Sequence, residues 1–287
     1  MILVDMNQIS LASVMMHLNL NKTTKPDETM VRHMILNSLR MYRTRFKEEY
    51  GELILCFDSR HYWRRDHFPQ YKANRKKTRE TSNLNWDAIF ECVNNVKQEL
   101  KDFFPYKHLE VWGAEADDII AALCLELEYD NGKTLILSGD KDFIQLHRFR
   151  NVSQYSPITK KMINSIDPEE YLTEHILKGD PGDGVPNVLS PDHTFVEGLR
   201  QRPLGKKKIA EWTSDILTPV EMALPNDETK RNFQRNQQLI DLSKSPSQIF
   251  HECIQAYHEA KDGDRSKLLN YFIEKKLRNL TDLIGEF

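Results

Sequence analysis

Four short apolar runs, each followed at once or after a tight turn by carboxylates, constrain this chain more than any other feature. They are MILV (1–4), ELILCF (52–57), HLEVW (108–112) and TLILS (134–138), each about the length of a buried strand. Between them helical spacing dominates. Pro26-Asp27 reads as an entry signal, Val31, Met34, Ile35, Leu39, Tyr42 and Phe46 recur at helical intervals, and Gly51 is a stop, which predicts a helix over 27–50. Trp86, Ile89, Phe90, Val93, Val96 and Leu100 predict a second from about Asn85, and Ile119, Ile120, Leu123 and Leu127 a third opening at Glu115. Strands alternating with helices predict an α/β fold over roughly 1–165, a mostly parallel central sheet with helices on both faces. After Asp167-Pro168 the pattern changes to helices over 168–178, 226–242, 247–260 and 265–277, with GDPGDGVPNV (179–188) as a turn-rich loop. No Gly/Ser-rich spacer marks the junction near 165, which predicts two regions, 1–165 and 166–287, within one compact molecule.

The acids carry the chemistry. Asp5 follows the first run, Asp58 the second, Glu115, Asp117 and Asp118 the third, and Asp140 and Asp142 the fourth. In an open parallel sheet the carboxyl ends of the strands form one edge, and ligands bind in the crevice there. Seven carboxylates at one edge repel each other unless some are protonated or cations are present. Oxygen ligands without a Cys or His cluster favour a hard ion, Mg²⁺ or Mn²⁺. Clustered acids holding two such ions suit in-line attack of water on a phosphodiester. A single Asp at a strand end is more simply a helix cap or turn former, but four strand ends in a row are not explained that way. Asp118 is the member most easily assigned to capping, since on a helix it points about 100° away from Asp117.

Forty Lys and Arg against 43 Asp and Glu give a net charge of −3, which excludes a basic coat over the whole chain and requires any nucleic-acid surface to be local. Such a surface is visible between Asp58 and Asn85. Residues 60–79 hold eight Lys/Arg against one acid, Asp66, with Tyr62, Trp63, Phe68 and Tyr71 interleaved. Basic groups for phosphates and aromatic faces for unstacked bases compose a single-strand nucleic-acid channel, and the segment leaves the strand end that carries Asp58, so it is expected to overhang the acids. No apolar run approaches the roughly 20 residues of a membrane span. MILV runs straight into an acid, which predicts no secretory signal, and Cys56, Cys92, Cys124 and Cys253 match no zinc spacing, which predicts a reducing cytoplasm.

GAEADD (113–118), SGDKDF (138–143) and GDPGDGVPNV (179–188), in that order after Asp5 and Asp58, resemble the acidic blocks of the 5′-nuclease superfamily of flap endonucleases and polymerase-associated 5′–3′ exonucleases. YWRRDHFPQYKANR (62–75) resembles that family's arch, and over nearly the whole chain the likeness is strongest to the phage replication nucleases called ribonuclease H. The resemblance implies a PIN-like 5′-nuclease core, a helix–turn–helix element in the helical region, and Mg²⁺-dependent removal of RNA primers and flaps from lagging-strand fragments, with Mn²⁺ able to substitute. It implies that Asp5, Asp58, Glu115, Asp117 and Asp140 hold the first ion and Asp142 with Asp183 the second, Asp180 assisting, with Asp118 matching an acid common in phage and bacterial members. Catalytic roles fall to Asp117 and Asp140, and to Arg64 and Lys72 as the clamp on the scissile phosphate. Nucleic-acid contacts fall to Arg64, Arg65, Tyr71, Lys72, Arg75, Lys76 and Lys77, and to Lys206 and Lys207 at the duplex grip. LSPDHTFVEGLRQRP (189–203) departs from the family pattern by separating the GDPGD loop from Lys206–Lys208.

The implied substrates are branched or nicked DNA and RNA:DNA duplexes with a 5′ end or flap, cut by a monomer in the cytoplasm of a phage-infected host. The rivals are another two-metal ribonuclease of the same fold and a catalytically silent DNA-binding replication factor; the latter is expected to have lost acids, and this chain keeps the full set. Leu280, Leu283, Ile284 and Phe287 leave two readings open. They pack back on the helix over 265–277, or they form a docking motif for a single-strand DNA-binding protein or sliding clamp.

Overall fold

The computed structural model describes residues 1–128, 132–164, 167–215, 217–261 and 263–287. The expected junction near 165 falls at residues 165 and 166, outside the described residues.

Six strands form one sheet: β1 (Ile2–Asp5), β2 (Leu53–Phe57), β3 (Lys107–Glu110), β4 (Thr134–Leu137), β5 (Val152–Ser156) and β6 (Lys161–Ile163), in the order β3-β2-β1-β4-β5-β6. The first five are mutually parallel and β6 closes the edge antiparallel to β5. β1 is the central strand, with Val4 in register with Leu55 on one side and Leu137 on the other. A strand covered on both faces must be apolar at every position rather than at alternate ones, which is why the runs of β1, β2 and β4 read as continuous; β3, at the sheet edge, buries only Leu109. β5 lacks that mark because its VSQYS sequence buries Gln154 and Ser156 for their hydrogen bonds.

Thirteen α-helices are present among the described residues. α1 (Met6–Asn21), α2 (Glu28–Tyr50) and α5 (Trp86–Phe103) cover one face; α6 (Ala116–Glu126) covers the other. α3 (Trp63–His67) and α4 (Asn74–Glu80) lie in the basic segment. α7 (Pro168–Lys178), α8 (Lys206–Trp212), α9 (Val220–Ala223), α10 (Asp227–Ile240), α11 (Ser247–Glu259), α12 (Leu268–Glu274) and α13 (Arg278–Thr281) follow. The apolar-run pattern does not reach α1, whose hydrophobic face is weakly segregated, but Asp5 caps it by accepting from Gln8 N at 3.0 Å.

The helices after α7 do not stand apart from the sheet. Ile249 and Cys253 of α11 complete the apolar layer around α6, and Leu268, Tyr271 and Phe272 of α12 join the layer under α2 and α5. The chain end joins that layer too. Leu280 and Phe287 are buried, the Phe287 ring lies 5.2 Å from Phe272 and 5.8 Å from Phe104, and Arg43 Nη1 donates to the Glu286 carbonyl at 2.9 Å. The docking-motif reading of residues 279–287 is thereby corrected: Leu280 and Phe287 are consumed by the core and Ile284 packs against it. A third apolar cluster ties the basic segment, through Phe68 and Tyr71, to α7, α8 and α10.

Candidate functional site

The parallel pairing of β1 to β5 brings the carboxyl ends of these five strands to one edge of the sheet, and the acids gather there. Asp5 ends β1, with Oδ1 engaged by Gln8 N and Oδ2 accepting from Ser138 Oγ at 2.9 Å. Asp58 follows β2 and accepts from Ala116 N at 2.8 Å, which pins the start of α6 to the end of β2. Asp140 follows β4 and accepts from Asp142 N at 3.0 Å. The β4 turn is held from behind by Gln154 of β5, whose amide donates to the carbonyls of Ser138 at 2.9 Å and Asp140 at 2.6 Å. From the other side α7 ends at Gly179, whose φ of +67° leads into the GDPGD loop. A Cβ there would meet the Val185 carbonyl oxygen at 2.4 Å, so only glycine lets the loop double back and present Asp180 and Asp183.

The electrostatics record how tightly these groups are gathered. Burial, then the charges of Asp58 and Asp140, pushes the Asp5 carboxyl up to about 6. Burial, then Asp140 and Asp5, pushes Asp117 well above the carboxylate range. Asp142 is pushed up by burial and by Asp140, Asp180 and Asp183, and Asp180 by burial and Asp183. Asp58 is raised chiefly by burial. Such a set is stable as anions only with cations among them. Protein cations have entered it, Lys72 foremost: its Nζ lies 2.5 Å from Glu115 Oε1 and 3.5 Å from Asp183 Oδ2. Lys72 does so from a left-handed backbone conformation, φ 56°, while its own N–H donates to the Asp183 carbonyl at 2.7 Å. The donor set, oxygen-rich and partly balanced by an ammonium, fits divalent cations.

The remaining members divide. Asp118 does not face the cluster. It is held by Arg64 Nη1 at 2.8 Å and Nη2 at 2.9 Å, by Ser245 Oγ at 2.6 Å, by Trp63 Nε1 at 3.3 Å and by Glu115 N at 2.9 Å. Burial alone would raise its carboxyl, and the guanidinium holds it below the usual range instead. Its expected part as a metal ligand is corrected, because its lone pairs are already used. Arg64 is corrected with it: it also bonds Glu115 Oε2 and the Leu239 carbonyl, both at 2.9 Å, and at 2% exposure it is buried away from any surface a phosphate could reach. Asp183 is held below its usual range by Lys72 and Arg75, against the effect of burial.

The basic segment lies against the acids rather than standing clear of them. Trp63, Phe68 and Tyr71 are buried, which corrects their expected part as faces for bases; Tyr71 Oη instead donates to Asp183 Oδ2 at 2.8 Å. Arg65, Lys76 and Lys77 are exposed, as are Lys206, Lys207 and Lys208 at the start of α8. Arg75, half-exposed, pairs with Asp183. Between this segment and α5 lies a cleft of about 870 Å³ lined by Asp58, Arg60, Lys72, Arg75, Trp86 and Lys97. Lys97 has no distinguishing mark in the sequence. Nor has His175, a lone histidine on α7 that the fold sets beside Asp142 and Asp180, the three ligand-type atoms lying within 4.8 Å of one another.

The family described as "5'-3' exonuclease, N-terminal resolvase-like domain" matches residues 1–175, and "T4 RNase H, C terminal" matches 167–287. The chain is 37% identical to "Ribonuclease H" of Enterobacteria phage T4 over 99% of its own length and 95% of that protein's. It is 32% identical to the "5'-3' exonuclease" of Buchnera aphidicola subsp. Acyrthosiphon pisum over 48% of each chain. Its fold is similar to that of the bacteriophage T5 flap endonuclease, solved as a pseudo-enzyme–product complex with DNA and metal ions, at a TM-score of 0.60 and 19% identity, covering 90% of this chain and 93% of that one.

Proposed function

The chain belongs to the 5′-3′ exonuclease family, and from that premise we propose that its acid-lined sheet edge hydrolyses phosphodiesters at 5′ ends and flaps, removing RNA primers and adjacent DNA during lagging-strand replication. One observation carries this: carboxylates from four parallel strand ends and the GDPGD loop meet at one edge, raising one another's proton affinity, beside a cleft lined with arginine and lysine.

Asp5, Asp58, Glu115, Asp117 and Asp140 are assigned to one cation and Asp142, Asp180 and Asp183 to a second. Mg²⁺, or Mn²⁺ in its place, would supply Lewis acidity for hydrolysis of the phosphodiester when bound by these two sets. The protein's own groups do the rest. Lys72 and Arg75, now paired with Glu115 and Asp183, are transferable to a scissile phosphate that enters between them. Arg65, Lys76 and Lys77 hold the backbone of the single strand, and Lys206 and Lys207 that of the duplex. In this division residues 1–165 supply the chemistry and 166–287 the grip, in a monomer working in the cytoplasm of an infected bacterial host. No helix among the described residues is long and apolar enough to cross a membrane. Contact with a single-strand DNA-binding protein or sliding clamp is assigned to no segment, because the tail is in the core.

The test uses 5′-labelled flap and nicked RNA:DNA substrates with and without Mg²⁺. The wild type releases short 5′ products only with the cation, and Asp140→Asn binds the substrates without cutting them. Full cleavage in EDTA, or wild-type turnover in the variant, overturns the reading.

A further inference from the structure

Among the described residues the cluster includes a ligand-type side chain that does not offer oxygen. His175 sits one turn before the end of α7, with Nδ1 3.4 Å from Asp142 Oδ1 and Nε2 3.9 Å from Asp180 Oδ2. Both separations lie within ion-pair distance for a protonated ring, but neither contact forms a hydrogen bond. Nδ1 is nevertheless buried and has no hydrogen-bond partner, a condition that costs about 1–3 kcal/mol for a polar atom. The ring is not free to swing away: Tyr171, one turn earlier, stands edge-on to it at 5.8 Å, and the fixed turn at Gly179 holds the helix end against the loop. What the spacing does suit is a shared ion. Neighbouring ligands around an octahedral cation at about 2.1 Å lie about 3 Å apart and opposite ones about 4 Å. The ligand atoms of Asp142, His175 and Asp180 lie within 4.8 Å of one another, which small side-chain shifts would bring to those values.

The geometry points to His175 as a nitrogen ligand of the second cation, making that site a mixed nitrogen and oxygen site selective for Mn²⁺ over Mg²⁺. This rests on the assignment of Asp142 and Asp180 to that cation. Mg²⁺ dehydrates reluctantly and keeps to oxygen, whereas imidazole binds the transition ions well, so a histidine in place of a water or carboxylate strengthens Mn²⁺ far more than Mg²⁺. A structural histidine would hydrogen-bond an acceptor; this one stands at ion-pair distance from two carboxylates while its buried Nδ1 makes no hydrogen bond.

The experiment reads the metal itself. Mn²⁺ is titrated into the metal-free wild type and His175→Gln by electron paramagnetic resonance, and the bound ion's nitrogen couplings are recorded on natural-abundance and ¹⁵N-histidine-labelled protein. Expected are a directly bound nitrogen whose coupling changes with the histidine label, its loss in His175→Gln, and a Mn²⁺ affinity lower by about 10–100-fold, with Mg²⁺ affinity lower by no more than about threefold. No histidine nitrogen on either bound Mn²⁺ in the wild type overturns the inference without any appeal to the variant, so misfolding of His175→Gln cannot rescue it. Equal losses for the two metals likewise assign His175 to structure. Failure of the nuclease reading is seen separately, as absent flap cleavage by a wild type whose nitrogen coupling is present.

Discussion

Replacing Asp5 by Asn is expected to stabilise the metal-free protein at neutral pH. Asp5 is 6% exposed, and burial together with Asp58 and Asp140 pushes its carboxyl to about 6 although Gln8 N and Ser138 Oγ both donate to it. Displacement from the ordinary 3.8 to about 6 means that ionising this one group in the folded state costs about 3 kcal/mol. The amide carries no charge, keeps the oxygen that caps α1, and is itself a good N-cap, so little is lost in exchange. The pH dependence follows in sign. Between about 4 and 6 the folded wild type binds the proton more tightly than the unfolded chain does, so its stability falls as pH rises through that window. The advantage of the variant is therefore complete above about pH 6 and vanishes below about pH 4. Thermal unfolding in EDTA at neutral pH should show the variant melting roughly 5–10 °C higher, and saturating Mg²⁺ should reverse the order because the wild type gains binding energy that the variant has lost. A variant that melts at or below the wild type in EDTA, or an advantage that persists unchanged at about pH 4, refutes the account of Asp5 as a repelled and desolvated ligand.

Arg64→Met removes the partner of two buried acids, Asp118 and Glu115, and is expected to lower unfolding stability by about 3–5 kcal/mol in denaturant titration; wild-type stability with a lost single-turnover rate would return Arg64 to the part of phosphate clamp. Phe287→Ala should cost about 3–5 kcal/mol, since its ring is fully buried against Phe104 and Phe272; an unchanged melting temperature would reopen the docking-motif reading of the tail. Lys72→Ala should lower the single-turnover cleavage rate by a factor of about ten or more with a smaller loss of substrate affinity, whereas Lys77→Ala should weaken affinity and flatten its salt dependence. Kinetically alike variants would show that Lys72 serves only as a backbone contact.

β1, β2 and β4 were legible because burial on both faces writes itself into consecutive residues. Ile2–Val4 and Leu53–Phe57 needed no partner to be recognised, and a parallel sheet places the residues after its strands at one edge whatever the loops do. Asp5, Asp58, Asp117, Asp140 and Asp142 follow from that rule alone. The sequence also determined the helix limits at Asp27 and Gly51 and the loop that follows Gly179, since caps and turns are local. What it could not decide was which charges stay in water. Arg64 and Arg65 are neighbours in one basic run, yet the first is buried against Asp118, 54 positions away, and the second is exposed. The difference comes from Phe68 and Tyr71 packing into the cluster with α7, α8 and α10, which draws one face of the segment inward. Gln154 behind Asp140, His175 beside Asp142, and Phe287 in the core are of the same kind. Each acquires its part from a contact between distant segments, and the free energy of a charged or polar group depends on what surrounds it, which only the tertiary structure supplies.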